Sequence, residues 1–251
     1  VAGVKKGNFE PIVQLVAPVK LQVAVVSGSF EPNEKTVVNF EFAASKNDLN
    51  LYSSLEDENN TGVAGQLSLA HQLLKSTGEW ALSLTSDIDY IQSNFRTIER
   101  LYRPEFNRDW NIETLNSSQR LFDLGDQLFA RAGAQFSHPE KGMLKYQFQQ
   151  LSYGDNYDGN RQVFLTKLNL NRFQFFSKSS VLVTDGLVSN SMFYRSDNRL
   201  KYSYEKGWSG VHFSTEQNEK KQVESGVLDP ISQKFQAYEV FTGIGDSTKV
   251  F

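Results

Sequence analysis

The sequence predicts an all-β, antiparallel protein whose long strands are joined by hairpins. Polar and apolar residues alternate over long stretches, most clearly at Val38–Ala44 and again from residue 128 onward. Acidic or Gly-rich turns separate these stretches. Aromatic residues make up 13% of the chain, with 19 Phe and 10 Tyr against 2 Met, a bias that suits pleated surfaces. We expect roughly ten to twelve strands.

Composition excludes several classes of protein. The 251 residues carry a net charge of -3 and neither half is strongly basic, so a nucleic-acid partner has no electrostatic support. The absence of cysteine excludes disulfides, thiolate metal sites and Cys nucleophiles. The longest apolar-rich stretch, 12–26, is interrupted by Gln14, Pro18 and Lys20. It is too short and polar for a membrane-spanning helix, which excludes a helical membrane protein.

The first half of the chain alternates less regularly than the second. The acidic loop 55–62 is typical of an exposed hairpin tip, and residues 66–75 fit either a strand or a short helix. Helical spacing of Ile91, Phe95, Ile98 and Leu101 predicts a helix over 91–102, with an ordered irregular connection as the alternative. Because residues 91–127 do not alternate, we expect an irregular connecting segment there.

The second half predicts regular strands with polar turns between them. After the strands between 128 and 171, further strands are predicted at 173–184, 187–195, 199–206, 208–215 and 234–242. Turns are predicted at Asp197–Asn198 and over 217–221, among others. No linker or repeat divides the chain, so we expect residues 1–251 to form a single β domain. Since the chain begins with Val1, we expect it to be part of a longer protein.

The alternating faces favour an outer-membrane-type β-barrel or an extended sheet, with a β-sandwich or jelly roll as the alternative. One face of each strand is apolar and the other carries Asn, Gln, Lys, Arg and Ser. Aromatic residues near strand ends are typical of the girdle at a membrane interface, with the high β propensity of aromatic residues as the alternative. The predicted girdle consists of Tyr90, Tyr102, Tyr153, Tyr157, Tyr194 and Trp208.

Three stretches carry a resemblance to a known class of protein. Residues 47–54, 106–111 and 243–251 resemble large uncharacterised outer-membrane or cell-surface β proteins of Gram-negative bacteria. The resemblance implies a non-enzymatic protein of the bacterial outer membrane or cell surface, acting in transport, secretion or envelope scaffolding. Its partners would be the lipid bilayer or other envelope proteins.

Two other functions remain open. A soluble exported glycan-binding module would stack sugars on Trp80, Trp110 or Trp208. A polysaccharide-degrading enzyme would need an acid/base pair such as Asp87 and Asp89, which we interpret instead as part of a polar strand face. No nucleophile elbow or phosphate-binding loop occurs, and His71, His138 and His212 lack metal-ligand spacing, so no catalytic residue is assigned.

Two candidate sites follow from local composition. The oxygen-rich turn 155–160 makes Asp155 and Asp158 candidate ligands for Ca²⁺, the one cofactor the sequence suggests; an ordinary polar turn is the alternative. Within 91–127, arginine and aromatic side chains of the kind that anchor interfaces form a candidate partner-binding cluster. Its members are Arg96, Arg100, Tyr102, Arg103, Phe106, Arg108 and Trp110. The alternative is a structural role, tying the connection to the sheet.

Overall fold

A computed structural model describes residues 17–53, 59–74, 79–113 and 121–245 and confirms the all-β, antiparallel, hairpin-linked fold. Within these ranges eleven strands form one sheet, in which each strand pairs with its neighbours in the chain. The strands are β1 Lys20–Asn33, β2 Thr36–Asp48, β3 Thr61–Leu74, β4 Ala81–Ile91, β5 Gln127–His138, β6 Gly142–Tyr153, β7 Tyr157–Leu170, β8 Phe173–Gly186, β9 Ser189–Tyr204, β10 Gly207–Gln222 and β11 Gln233–Ile244. A helix, α1, spans Phe106–Asp109, and a 3₁₀ turn spans Leu121–Leu124.

The sheet is open and single-layered. In the described part of the chain, β1 pairs only with β2 and β11 only with β10. The extended-sheet form of the prediction is therefore confirmed. The sandwich alternative is wrong for these residues because a sandwich needs two sheets packed face to face. No helix among the described residues is long and apolar enough to cross a membrane.

The two faces of the sheet differ in polarity because side chains alternate along each strand. We call the face that carries Phe129 the inner face, since residues 92–113 and 121–126 pack against it, and the opposite face the outer face. Neighbouring strands present large apolar side chains on the outer face: Phe40 is in register with Leu67, and Leu67 with Ile88. Farther along the sheet, Tyr146 packs on Phe164 with ring centroids 4.9 Å apart. These outer side chains are exposed.

The sheet curves around its inner face. In a flat sheet β5 and β10 would lie roughly 24 Å apart, five strand spacings. Trp110 nevertheless packs on Phe129 of β5 (centroids 5.4 Å apart), and the next residue, Asn111, donates a 2.8 Å hydrogen bond to Asn218 of β10. Adjacent Cα atoms are only about 3.8 Å apart, and strand side chains stand roughly perpendicular to the sheet. Two consecutive residues can reach both strands only because the sheet wraps around them.

Connections differ between the two ends of the sheet. At one end, which we call the short-turn end, strands are joined through 34–35, 75–80, 139–141, 171–172 and 205–206. At the other, the long-connection end, the links are 49–60, 92–126, 154–156, 187–188 and 223–232. The hydrophobic core lies at the long-connection end, between the inner face and residues 106–112 and 121–124. It consists of Trp110, Ile112, Leu124, Phe129, Leu151, Tyr153, Tyr157, Leu182 and Phe193.

Some local predictions are wrong. Residues 91–102 contain no helix. For 66–75, which fit either a strand or a short helix, the strand is confirmed over 66–74, since these residues belong to β3. The predicted turns at Asp197–Asn198 and 217–221 lie inside β9 and β10. Cross-strand polar pairing explains the error at Asp197–Asn198: Asp197 accepts a hydrogen bond from His212, and Asn198 accepts one from Ser177. Part of the predicted hairpin tip at 55–62 lies outside the described residues.

The predicted aromatic girdle is also only partly right. Tyr90 and Tyr194 lie on the outer face, 39% and 37% exposed, near the long-connection end. The other four point inward, where Tyr153 and Tyr157 belong to the core. Outer-face aromatic residues instead cluster near the short-turn end. They are Phe30, Trp80, Phe136, Phe173, Tyr202 and Tyr204.

Gly142 gives a direct test of the tight turn before β6. Its φ is +116°, and an added Cβ would overlap the carbonyl of Lys167 on β7. Gly142→Ala should lower the free energy of unfolding by about 1–3 kcal/mol, the usual cost of a strained backbone. Gly226→Ala is the control: its φ is +64°, but nothing lies within 4 Å of the added Cβ. Denaturant titration of both variants measures the difference, and equal losses would contradict the assigned register.

Candidate functional site

Residues 92–113, which we call the inner segment, leave β4 and lie on the inner face. Asp126, the residue before β5, holds together the two ends of the connection between β4 and β5. Its carboxylate accepts a 2.8 Å hydrogen bond from the Ser93 backbone N–H and a 2.6 Å bond from the Tyr90 hydroxyl. The hydrogen bond from Tyr90, followed by that from Ser93, keeps the pKa of Asp126 below its ordinary value. The chain therefore leaves and re-enters the sheet at one point, held by Tyr90, Ser93 and Asp126, which we call the clamp.

The first part of the inner segment rests on β2 and β3. Gly62 allows close approach, since a Cβ there would overlap the backbone of Asn94 and Phe95. The Arg96 backbone N–H donates to Ser45 Oγ at 2.9 Å. The Arg96 guanidinium donates to the carbonyls of Ser93 and Phe95, at 2.6 and 2.9 Å. Arg96, predicted as a partner contact, thus binds the segment's own backbone.

The aromatic members of the predicted cluster come together beside β5. Tyr102 stacks on Phe106 with ring centroids 3.9 Å apart, and Phe106 lies 6.3 Å from Trp110. Gln127 donates a hydrogen bond to the Tyr102 hydroxyl, and burial raises the pKa of that hydroxyl. Trp110 is only 2% exposed, so its indole face is not available for stacking on a sugar. These three rings anchor the segment to the sheet.

The remaining arginines of the predicted cluster face outward from the segment. Arg100, Arg103 and Arg108 are exposed. Arg108 pairs with Glu105 at 3.5 Å, but its side chain is 75% exposed. The structure therefore divides the predicted cluster. Tyr102, Phe106 and Trp110 pack on the sheet, and Arg100 and Arg103 line a cavity of about 500 Å³ beside Tyr102 and Phe106, whereas Arg108 lies outside that cavity. Partner binding through the exposed arginines stays a prediction.

Strands on both sides of the curved sheet converge on Asp109 and Trp110. From β7, Arg161 donates to the Asp109 carbonyl and lies 4.2 Å over the Trp110 ring, while Tyr157 donates to the Trp110 carbonyl. From β9, Arg195 forms a 2.9 Å ion pair with the Asp109 carboxylate. Each buried backbone carbonyl thereby gains a donor from the sheet.

Beyond Trp110 the segment is fastened to β9 and β10 by a buried polar network. The amides of Asn111 and Asn218 exchange hydrogen bonds of 2.8 and 2.9 Å, and Asn111 also donates to Ser191 at 2.8 Å. Glu113 forms an ion pair with Lys220 and accepts a 2.8 Å hydrogen bond from Ser189. Asn111 has φ +50°, a left-handed conformation that Asn tolerates better than most residues. We call these six side chains the latch: Asn111, Glu113, Ser189, Ser191, Asn218 and Lys220.

A polar cavity of about 560 Å³ lies between the segment and the inner face of β6–β10. Amide, hydroxyl and charged side chains line it. They include Gln147, Gln149, Arg161, Lys178, Arg195 and Glu216. Arg195 joins Asp109 to Glu216, whose carboxylate lies 3.6 Å from its Nε. These ion pairs engage the charged groups nearest the segment, and the rest of the cavity lining is mostly polar.

The predicted metal ligands are not brought together with other donors. Asp158 accepts hydrogen bonds of 2.8 and 2.6 Å from the Gln150 amide, and Asp155 is exposed in the turn between β6 and β7. The described residues include no group of three or more His, Asp or Glu side chains arranged to hold a metal. Calcium binding stays a prediction. Asp89, of the carboxylate pair considered for acid/base chemistry, is ion-paired with Arg131 at 2.9 Å.

Sequence reasoning missed the latch and the convergence on Asp109. A signal existed for part of it: Ser189, Ser191, Asn218 and Lys220 are polar side chains on one face of their strands. That pattern predicts a polar face, but not the segment that covers it. The segment's own residues, Asn111 and Glu113, follow no period that distinguishes them from an ordinary loop.

The latch predicts a loss of stability when its amide is removed. Asn111→Ala should lower the free energy of unfolding by about 1–3 kcal/mol, because the Asn218 amide is left buried without its partner. Asn111→Gly loses the same hydrogen bonds but keeps the left-handed backbone free of strain. It should therefore be no less stable than Asn111→Ala. Limited proteolysis within 92–113 and denaturant titration check this; wild-type resistance in both variants would contradict the latch.

The clamp predicts a measurable pKa. Tyr90→Phe removes the hydrogen bond that most lowers the pKa of Asp126 and should move that pKa up toward its ordinary 3.8. Because the folded pKa is lowered, the clamp stabilises fully above about pH 3.8 and is lost as pH falls through the folded value. Carboxyl-carbon NMR titration of wild type and variant measures both values. An unchanged pKa in Tyr90→Phe would show that the hydroxyl does not hold this carboxylate.

Comparisons with known proteins leave the family of the chain open. No protein-family model matches the chain, and no curated protein or solved structure matches it significantly. The resemblance to Gram-negative surface proteins therefore stays a prediction, and a functional proposal rests on the geometry described above.

Proposed function

We propose that this chain forms part of the wall of a bacterial outer-membrane protein, with its outer face against lipid and its inner face lining an aqueous passage. The role is non-enzymatic, in transport or secretion through that passage. The observation that carries the proposal is the opposite polarity of the two faces of one curved sheet.

The outer face has the character of a surface that contacts an apolar solvent. Phe42 is 66% exposed, Phe164 50% and Val211 50%, and many large apolar side chains along the sheet resemble them. Water-soluble monomers rarely expose contiguous apolar patches of more than a few hundred Å². Acyl chains would cover these side chains without cost, since lipid tails are as apolar as the residues themselves.

The ends of the sheet support the same assignment. Membrane barrels combine short turns on one side with longer loops on the other, and the sheet has this asymmetry. Its strands contain 11 to 16 residues, enough for the roughly 9–11 residues that a tilted strand needs to cross a bilayer. In a bilayer, the aromatic residues near the short-turn end would lie at the depth at which membrane proteins carry an aromatic belt.

The inner face supports a water-filled passage. Ion-paired and amide side chains such as Arg131, Arg195 and Gln147 would be costly against lipid, but they are well solvated in a lumen. The inner segment crosses this face and is fixed to β2, β5, β7, β9 and β10. In a passage it would be a constriction held in place by the clamp and the latch. It narrows the route beside the polar cavity and so limits what passes.

Adjacent residues on β7 provide a matched test of the two faces. The sequence has no cysteine, so Phe164→Cys (outer) and Val163→Cys (inner) each create one site for a nitroxide label. In liposomes, the label at 164 should collide readily with oxygen and poorly with a water-soluble nickel chelate, because it lies in the acyl region. The label at 163 should show the reverse. Equal accessibility at both positions, or failure of the protein to stay with the liposomes, would refute the proposal.

A further inference from the structure

Five cationic side chains lie on the inner face of β6–β9 toward the short-turn end. We call them the cationic patch; they are Lys145, Lys167, Lys178, Arg199 and Lys201. Neither the clamp nor the latch uses them. Lys178 also lines the polar cavity beside Asp109, and the other four lie outside that cavity.

The strand register places these side chains close together. Lys145 and Lys178 are both in register with Leu165, one on each side of it. Lys167 and Arg199 flank Phe176 in the same way, one row nearer the short-turn end. Directly opposite Cβ atoms lie roughly 5 Å apart and diagonal ones roughly 7–8 Å. The cations therefore form a continuous patch rather than scattered charges.

Cations outnumber acidic side chains in these rows, where the carboxylates are Asp197, in register with Lys178, and Glu239. Asp197 and Glu239 both face His212, which contacts Asp197 through Nε2 at 2.9 Å and Glu239 through Nδ1 at 3.1 Å. These rows therefore hold two carboxylates, both of which contact His212, and the five cations of the patch. A positive potential over this part of the inner face follows.

Aromatic rings lie among the cations. Lys167 Nζ is 6.0 Å from the Phe176 ring, the Arg199 guanidinium is 4.4 Å from the Phe241 ring, and Phe241 lies 5.8 Å from Trp208. A cavity of about 450 Å³ opens between these groups. Its lining combines cations, amides and rings, including Lys167, Asn169, Gln174, Phe176, Arg199 and Trp208.

The opposite part of the inner face has the opposite charge. On β2 and β4 the inward positions include Glu41, Asp87 and Asp89, with Arg131 on β5 paired to Asp89. Because the sheet curves, these acidic positions and the cationic patch belong to opposite walls of one trough. An anion in the trough is driven toward β6–β9.

We propose that the cationic patch binds an acidic oligosaccharide, that is, a chain of sugars bearing carboxylates. Lys and Arg make charge-assisted hydrogen bonds to carboxylates, and the Asn169 and Gln174 amides can pair with hydroxyls. The aromatic rings offer apolar surface to the C–H faces of sugars, as rings do in most small-molecule sites. The inference deepens the proposed function and rests on it for the conclusion that such a ligand passes along the inner face.

Equilibrium binding to the detergent-solubilised protein tests the inference without requiring a bilayer. The probes are a galacturonate hexasaccharide, its carboxyl-reduced neutral counterpart, and inorganic pyrophosphate. The hexauronate should bind at least about tenfold more tightly than the neutral sugar, and more weakly as salt is added. Lys167→Gln and Arg199→Gln should each weaken it by about tenfold, the worth of one charge-assisted hydrogen bond.

Lys221→Gln is the matched control, because Lys221 is exposed on the outward side of β10; it should leave binding unchanged. Equal affinity for the charged and neutral sugars would overturn the inference, as would an equal loss in the control. Pyrophosphate binding as tight as that of the hexauronate would overturn the saccharide class. If the β7 labels show no lipid contact but the hexauronate binds as expected, the saccharide site is supported and the membrane passage is refuted. If the labels show lipid contact but the hexauronate does not bind, the passage is supported and the saccharide site is refuted.

Discussion

The structure depends on the closure of a curved sheet onto the backbone around Asp109–Asn111. Four strands, β5, β7, β9 and β10, reach these three residues with a ring, two carbonyl hydrogen bonds, an ion pair and an amide pair. A flat sheet could not make these contacts together. The curvature of the sheet, the polar cavity and the position of the inner segment therefore all depend on the same set of contacts.

This constraint is satisfied mostly by polar chemistry. The apolar core is small relative to the sheet and lies at the long-connection end alone. Over the rest of the inner face, hydrogen bonds fix the position of the inner segment. They specify one arrangement because a mispaired buried amide or carboxylate is costly. Asn111 and Glu113 fix the segment to β9 and β10, whereas the rings of Tyr102, Phe106 and Trp110 fix it to β5. The segment has one docked position as a result.

Most of the fold could be predicted from the sequence, because alternation over many residues is a strong signal. It predicted the antiparallel, hairpin-linked strands and the break in pattern after residue 91. It failed where a polar residue serves a cross-strand pair instead of a turn, as at Asp197 and Asn198. It also failed for Tyr153 and Tyr157: alternation assigns relative faces, but which face is inward depends on long-range curvature. The latch could not be predicted, since it joins residues about a hundred positions apart through single amides.

The clamp at Asp126 has a consequence for how such a protein can change during evolution. Since Ser93 and Asp126 are hydrogen-bonded to each other, the chain between them begins and ends at one place. β4 and β5 keep their register whatever lies in between, and the entropy of closing a longer loop grows only slowly with its length. The connection can therefore accept insertions while β4 and β5 stay paired, provided that the contacts of Asp109–Asn111 with the sheet are kept. Within a single chain, the pairing of β4 with β5 and the length of the connection between them can therefore change independently.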